Sequence, residues 1–152
     1  MTLYETKKEL FHNYCKELQG IAGLRIRTRE ENNEQCNAYI NDPEYKWINI
    51  FDDDKELIGF LIFSRTMTHP KTDCYIAEAY VIPEKRHHHF MTKTAADYLS
   101  RHPGRYCLHV LRNNDKAKTF WLNFFEKMKY RKLDITDVSA YEFEDFFAWE
   151  SD

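Results

Sequence analysis

Between Cys74 and Leu99, a polar loop separates an apolar run from an amphipathic segment. The apolar run ends at Pro83, the loop extends from Glu84 to His89, and helical spacing of apolar residues begins near Phe90. A helix N-terminus presents unpaired backbone N–H groups and the positive end of the helix dipole, which together suit a phosphate. Arg86 and three adjacent histidines add side-chain donors. The pattern predicts an anion-binding loop, and the alternative is a connection that is polar only because it is exposed.

One carboxylate, Glu78, interrupts the apolar run that precedes the loop. A carboxylate near apolar walls has a raised pKa, in the range useful for taking a proton from an ammonium group. Glu78 is therefore a candidate general base. The alternative is an outward-facing or salt-bridged strand residue.

The three adjacent histidines of the loop also have the ligand type of a zinc site. Adjacent residues rarely converge on one ion, and no nearby set of cysteines and histidines completes a site, so we expect no metal centre. His109 and Cys107 lie in a later apolar run and are expected to be packed core or cleft residues.

Hydrophobic spacing and boundary residues predict the elements that must position this segment. Helices are predicted from Thr2 to Gly20, Glu30 to Ile40, Phe90 to Leu99 and Asn114 to Met128. Strands are predicted near Leu24 to Thr28 and over Trp47 to Phe51, Glu56 to Ser64, Cys74 to Ile82, Tyr106 to Leu111, Tyr130 to Val138 and Tyr141 to Trp149. The strand, helix and strand from Cys74 to Leu111 suggest a crossover unit.

Composition limits the class of protein. A chain of 152 residues with 43% hydrophobic content can bury one core and is too short for two ordinary domains, so we expect a single domain over residues 1–152. The 22 basic and 25 acidic residues are mixed along the chain and give a net charge of −3. Binding of a nucleic acid backbone needs an extended basic face, so nucleic acid is not an expected partner.

Cysteine spacing and the first ten residues bear on the cellular compartment. The four cysteines are widely separated and show no paired metal-ligand spacing, which is typical of reduced thiols. Charged residues from Glu5 to Glu9 stand where a secretory signal needs an apolar run, and no long apolar stretch follows. We expect a cytoplasmic protein that does not associate with a membrane.

Three short motifs follow one another between Trp47 and Tyr130. They are the hairpin residues Leu57 to Phe60, the run Tyr80, Val81, Ile82 and Pro83 followed by Arg86, and the helical set Asn114, Ala117, Phe120 and Trp121. In type, order and spacing they resemble the motifs of the GNAT superfamily of acyl-CoA-dependent N-acyltransferases. The resemblance covers about half of the chain.

The resemblance implies an α/β (α+β) fold with a mixed, mostly antiparallel central sheet, splayed strands and flanking helices. It also implies an N-acetyltransferase that moves an acetyl group from acetyl-CoA to a primary amine by direct attack in a ternary complex. Acetyl-CoA, released as coenzyme A, would be the co-substrate. The amine would be a small molecule or a peptide, and the protein a monomer or homodimer.

The resemblance also assigns residues to roles. Glu78 would be the base, and Tyr80, Val81 and Ile82 would meet the pantetheine arm. The pyrophosphate would lie on Arg86, His87, His88, His89, Phe90, Met91 and Thr92. The remaining cofactor contacts would come from Asn114, Ala117, Phe120 and Trp121.

Two departures from the family pattern leave alternatives open. The family usually has glycine where this chain has His89, and glycine or alanine where it has Met91. A β-carbon at these positions alters how the loop binds phosphate, unless histidine side chains donate the hydrogen bonds instead. The family's tyrosine acid corresponds to Trp121, or to Phe125 if the helix has an extra turn.

Neither residue can release a proton, so either Tyr80, Tyr130 or solvent protonates the leaving thiolate, or the thiolate leaves unprotonated. The alternative function is a non-catalytic CoA-binding or protein-interaction module of the same fold. The acceptor side is undefined, because the chain opens with a helix where the family usually opens with a strand.

Overall fold

A computed structural model describes residues 1–23, 27–138 and 144–152. Two helices, α1 (Leu3–Ala22) and α2 (Arg29–Asn41), open the chain. Each begins with a capping box, in which a threonine and a glutamate exchange hydrogen bonds with the backbone of the first turn. The first helix continues past the predicted end at Gly20, because Gly23 (φ 68°) is the residue that takes the left-handed conformation and caps it.

In the described part of the chain, six strands and two further helices follow. They are β1 (Tyr45–Phe51), β2 (Leu57–Ser64), β3 (Cys74–Val81), α3 (Phe90–Arg101), β4 (Arg105–Leu111), α4 (Asp115–Lys127), β5 (Arg131–Leu133) and β6 (Glu144–Glu150). The strands form one sheet in the order β1-β2-β3-β4-β6-β5, in which only β3 and β4 are parallel. The expected mixed, mostly antiparallel sheet with flanking helices is confirmed.

The sequence-based boundaries differ from the structure in two further places. The predicted strand from Tyr130 to Val138 is wrong beyond Leu133, since β5 pairs with β6 over three residues only. The predicted loop after β3 begins with a short 3-10 turn, Pro83–Lys85. The strand predicted near Leu24 to Thr28 and the start of the one from Tyr141 fall largely on residues outside the described part.

The sheet has a separate core on each face. Helices α1 and α2 cover one face, where Phe11 and Tyr14 pack against Phe60 and Tyr80. Helices α3 and α4 cover the other, where Leu99 and Phe125 join a larger cluster with strand residues. Neighbouring residues of one strand therefore contribute to different cores, and outside its bulge β3 directs its side chains to the two faces alternately.

Candidate functional site

A gap between β3 and β4 is the open part of the site. These parallel strands pair only over Cys74 to Ile76 and Tyr106 to Leu108, so they diverge beyond Ile76. On its other edge β3 stays paired with β2 as far as Val81. The second half of β3 therefore has one backbone edge that no described strand covers.

The direction of the peptide groups shows what this edge presents. The N–H of Ile82 donates to the carbonyl of Ile58 at 2.9 Å, on the β2 side. The Tyr80 carbonyl also points toward β2, where a Cβ added at Gly59 would lie 2.1 Å from its oxygen. Because peptide groups alternate along a strand, the N–H and C=O of Val81 face the gap. Gly59 is required here, since any side chain would separate the two strands.

Glu78 lies on β3 where the gap begins, on the face covered by α1 and α2. A bulge leaves Ala77 without a partner and sets Glu78 opposite Ile62 on that face. The carboxylate is partly buried, and its Oε1 accepts a hydrogen bond from the Tyr14 hydroxyl at 3.2 Å. Burial raises the pKa of Glu78 to about 8, although hydrogen bonds from Tyr14 and Tyr39 act in the opposite direction. Such a pKa suits a general base near neutral pH.

A chain of hydrogen bonds connects Glu78 to α2. Arg27 Nη1 donates to Gln35 Oε1 at 2.5 Å, and Gln35 Nε2 donates to the Tyr39 hydroxyl at 3.4 Å. Tyr39 in turn bonds to Glu78, and the charge of Arg27 also lowers the pKa of this carboxyl. Tyr14 and Tyr39 are site residues that the sequence pattern does not predict, because helical spacing marks both only as apolar-face positions.

A second acidic group approaches the gap from β6. Nδ1 of His109, on β4, lies 3.6 Å from Oε2 of Glu144, and the charge of Glu144 raises the pKa of Glu78. The His109 ring contacts Tyr75 and Phe146, with centroid separations of 5.9 and 5.0 Å. Burial lowers the pKa of His109 and raises that of Glu144. His109 is thus a partly buried residue near the site, and Glu144 is a neighbour of Glu78 that the sequence did not identify.

The loop after β3 has the backbone geometry that glycines usually provide. His87 (φ 69°) and His89 (φ 64°) both adopt the left-handed conformation, which histidine tolerates better than most residues. The first helical bond of α3 runs from Lys93 to His89, and the amides of residues 87–92 have no hydrogen-bond partner in the described part of the chain. The three histidine side chains are exposed. The loop therefore offers free amides without its glycines.

Arg86 points away from these free amides and toward α1. Its Nη1 and Nη2 form a two-pronged ion pair with Glu17 at 2.9 and 2.8 Å, and its Nε donates to the Val81 carbonyl at 2.8 Å. The guanidinium carbon also lies 5.5 Å from the centre of the Tyr80 ring. Arg86 thus has protein partners, whereas the family resemblance implies a contact with pyrophosphate.

The motif at the start of α4 has some residues near the surface and one in the core. Asn114 caps α4 by accepting from the Ala117 amide at 3.2 Å, and both residues are partly exposed, as is Phe120. Trp121 is buried in the α3–α4 core against Phe124. Only the first part of the motif lies where a ligand at this helix end could touch it.

Among the residues considered as proton donors, Tyr80 is the one on the same face as Glu78. Its ring is buried against Phe60 and Tyr14, and burial raises its pKa. Tyr130 packs on Phe125 in the opposite core. Phe125 itself is fully buried and stacks on Trp149.

No group of three or more histidine, cysteine, aspartate or glutamate side chains within residues 1–23, 27–138 and 144–152 could hold a metal ion. His87 and His89 extend from a strained loop, and His88 lies against the Phe90 ring. The cysteines at positions 15, 36, 74 and 107 are free and buried.

These features define an α/β protein of the acyltransferase type, with parallel strands that diverge beside a partly buried carboxylate. The family model described as Acetyltransferase (GNAT) family matches residues 8–130. The chain belongs to the GNAT acetyltransferase family. No curated protein matches the sequence.

Solved structures of acetyltransferases share this fold. An acetyltransferase from Thermus thermophilus is 15% identical, with a TM-score of 0.66 and coverage of 94% of this chain and 90% of that one. Spermidine N-acetyltransferase from Vibrio cholerae, in complex with CoA and spermine, is 15% identical, with a TM-score of 0.63 and coverage of 98% and 91%. Diaminobutyrate acetyltransferase from Paenibacillus lautus, in complex with L-2,4-diaminobutyric acid and coenzyme A, is 14% identical, with a TM-score of 0.62 and coverage of 95% and 89%.

None of the helices among the described residues combines the length and the apolar character that crossing a bilayer requires.

Proposed function

We propose that the protein is an N-acetyltransferase that moves the acetyl group of acetyl-CoA directly to a primary amine. The observation that carries the proposal is the position of two features along β3, one where its open edge begins and one just beyond its end. Glu78 lies where the open edge of β3 begins, and the loop with free amides lies just beyond the end of that strand. A ligand with an acyl end and a phosphate end fits along this edge.

The chain has groups suited to each part of acetyl-CoA. The Val81 N–H on the open edge would pair with the pantetheine arm, next to Tyr80 and Ile82. The amides of residues 87–92, at the N-terminus of α3, would hold the pyrophosphate, which backbone donors and the helix dipole favour. At the start of α4, Asn114, Ala117 and Phe120 would border the cofactor, with Trp121 packed behind them.

The thioester supplies an activated acyl carbon, to which the amine nitrogen bonds as the carbon–sulfur bond breaks. Before attack, Glu78 accepts a proton from the substrate ammonium, directly or through a water molecule. A pKa of about 8 makes this carboxylate a stronger base than an ordinary glutamate. The hydrogen bond from Tyr14 keeps the carboxylate oriented toward α1.

Tyr80 is the proposed proton donor to the leaving thiolate. It is two residues from Glu78 on β3 and faces the same side of the sheet. Tyr130 lies in the opposite core, which makes it a poorer candidate. Solvent protonation of the thiolate is the alternative route.

The acceptor is proposed to be a small-molecule or peptide amine. The charge of Glu144 and the partly buried carboxylate of Glu78 favour a cation at this place. Two proteins of the same fold have spermine or L-2,4-diaminobutyric acid bound together with CoA. Both compounds therefore belong in the first substrate panel.

Release of free thiol from acetyl-CoA tests the proposal. The purified protein is assayed over a panel of primary amines that includes spermine, 2,4-diaminobutyrate and short peptides. CoA binding is measured in parallel by calorimetry and by the shift in Tm. We expect turnover with at least one amine and a raised Tm with CoA.

The same experiment separates the second candidate, a non-catalytic CoA-binding module. The side chains at His89 and Met91, where the family usually has glycine or alanine, are the observation that favours it. Tight CoA binding without turnover on any amine would favour this module over an enzyme. Absence of binding to both CoA and acetyl-CoA would contradict both functions.

A further inference from the structure

The ion pair between Glu17 and Arg86 connects the first helix to the cofactor edge of the sheet. Glu17 is on α1, and Arg86 is the first residue after the 3-10 turn that follows β3. Two parallel N–H to carboxylate bonds hold a planar guanidinium in one orientation, more firmly than a lysine could. Both side chains are about one-third exposed, at 35% and 37%.

The third contact of Arg86 lies on the open edge itself. Its Nε donates to the Val81 carbonyl, which is one of the groups that face the gap. Arg86 directly precedes His87, and both His87 and His89 have a left-handed backbone conformation. Non-glycine residues hold that conformation only where the surroundings fix the chain. Arg86 therefore fixes the last turn of backbone before the strained loop.

We propose that Glu17 is a positioning residue for coenzyme A, which acts by holding Arg86 so that the loop of residues 86–89 presents its amides to the pyrophosphate. This inference rests on the proposed function. In this role Arg86 acts through its partners Glu17 and Val81, and the free amides of residues 87–92 make the phosphate contacts. Through Glu17, the N-terminal helix α1 thereby contributes to the affinity for CoA.

Removing the charge of Glu17 distinguishes a positioning role from direct contact between Arg86 and the pyrophosphate, because the two roles predict different changes in CoA affinity. If the Arg86 side chain itself contacts the pyrophosphate, Glu17→Gln removes a competing carboxylate, so CoA binding stays the same or becomes tighter. If Glu17 positions Arg86, the same variant weakens CoA binding. We expect an increase of about five-fold in the Kd for CoA.

Arg86→Lys is the second variant. It retains the positive charge but loses the two-pronged geometry and the Nε donor, so we expect a similar rise in Kd. Glu17→Gln and Arg86→Lys combined should weaken CoA binding no more than the stronger single variant, since both break one connection. In steady-state assays the KM for acetyl-CoA should rise while kcat and the KM for the amine stay near the wild-type values.

Glu9→Gln is the matched control. Glu9 lies earlier on the same helix and pairs with Arg29 through one contact at 2.6 Å, so this variant removes an equal charge and an ion pair of the same helix. Its Kd for CoA should equal that of the wild type. An unchanged or lower Kd for Glu17→Gln would overturn the positioning role, and so would a loss of Tm in Glu17→Gln without a change in Kd.

The wild-type titration separates this inference from the proposed function. If the wild type binds CoA and Glu17→Gln binds equally well, only the positioning role is wrong. If the wild type does not bind CoA, the proposed function fails and the inference fails with it.

Discussion

The two ends of β3 use different chemistry. At the Glu78 end, the features that matter belong to a side chain: a partly buried carboxylate, two phenol donors and a raised pKa. At the loop end they belong to the backbone: left-handed residues and amides without a partner. The first kind of site depends on residue identity, whereas the second depends on conformation. His89 can therefore stand where the family has glycine, because it adopts the left-handed conformation itself.

The largest expected effect comes from removing the charge at the Glu78 end. Glu78→Gln keeps the size of the side chain but cannot accept a proton, so we expect kcat at neutral pH to fall by about 100-fold or more. The Kd for CoA should stay within about two-fold, because the proposed phosphate contacts lie at the loop end of β3. Thiol release and calorimetry measure the two quantities.

The control for this variant is Glu126→Gln, which removes an exposed carboxylate from the end of α4. It should match the wild type in both assays. Unchanged turnover in Glu78→Gln would remove Glu78 from the catalytic site, and a large rise in its Kd for CoA would mean that the two ends of β3 are not separate.

A smaller effect is expected from changing the backbone preference of the loop. Valine strongly disfavours the left-handed conformation that His89 adopts, by about 1–2 kcal/mol, so His89→Val should weaken CoA binding by about ten-fold. His89→Gly should bind CoA at least as tightly as the wild type, because glycine adopts this conformation freely. Calorimetric titration with CoA measures both.

His88→Val is the matched control, since His88 is also exposed but does not have a positive φ. It removes the same side chain and should leave the Kd for CoA near the wild-type value. Equal losses in His88→Val and His89→Val would show that the histidine side chains bind the phosphate and that backbone conformation is not the cause.

The same contrast explains how far the sequence predicts this protein. Local patterns identify all four helices, the hairpin and the strand with its loop, because caps, turns and periodicity act over a few residues. Glu78 stands out because one charge interrupts an apolar run. Its partner Tyr14 is 64 residues away and carries no local sign of the contact.

Arg86 illustrates the opposite limit. Its place after Pro83 identifies the loop, but the direction of its side chain depends on Glu17, which lies 69 residues earlier. Local patterns also do not predict the length of β5, because this strand ends where its pairing with β6 ends. Long-range packing therefore decides the details that determine chemistry in this site.

The smallest expected effects concern the pKa of Glu78, which should set the rising limb of the pH profile of kcat/KM near pH 8. The Tyr14 hydroxyl stabilises the ionised carboxylate, so Tyr14→Phe should raise the pKa of Glu78 and move the limb to higher pH. The charge of Glu144 disfavours ionisation, so Glu144→Gln should lower the pKa of Glu78 and move the limb to lower pH. Each displacement should be about half a pH unit.

Because the two pH profiles are expected to shift in opposite directions, this pair of variants tests specifically whether Glu78 is the base. A general decrease in stability or in substrate binding would change the height of both profiles, but it would not move their limbs in opposite directions. Because neither residue touches the loop after β3, both variants should keep the wild-type Kd for CoA. If the two limbs moved in the same direction, or not at all, a group other than Glu78 would control the ionisation that limits the reaction.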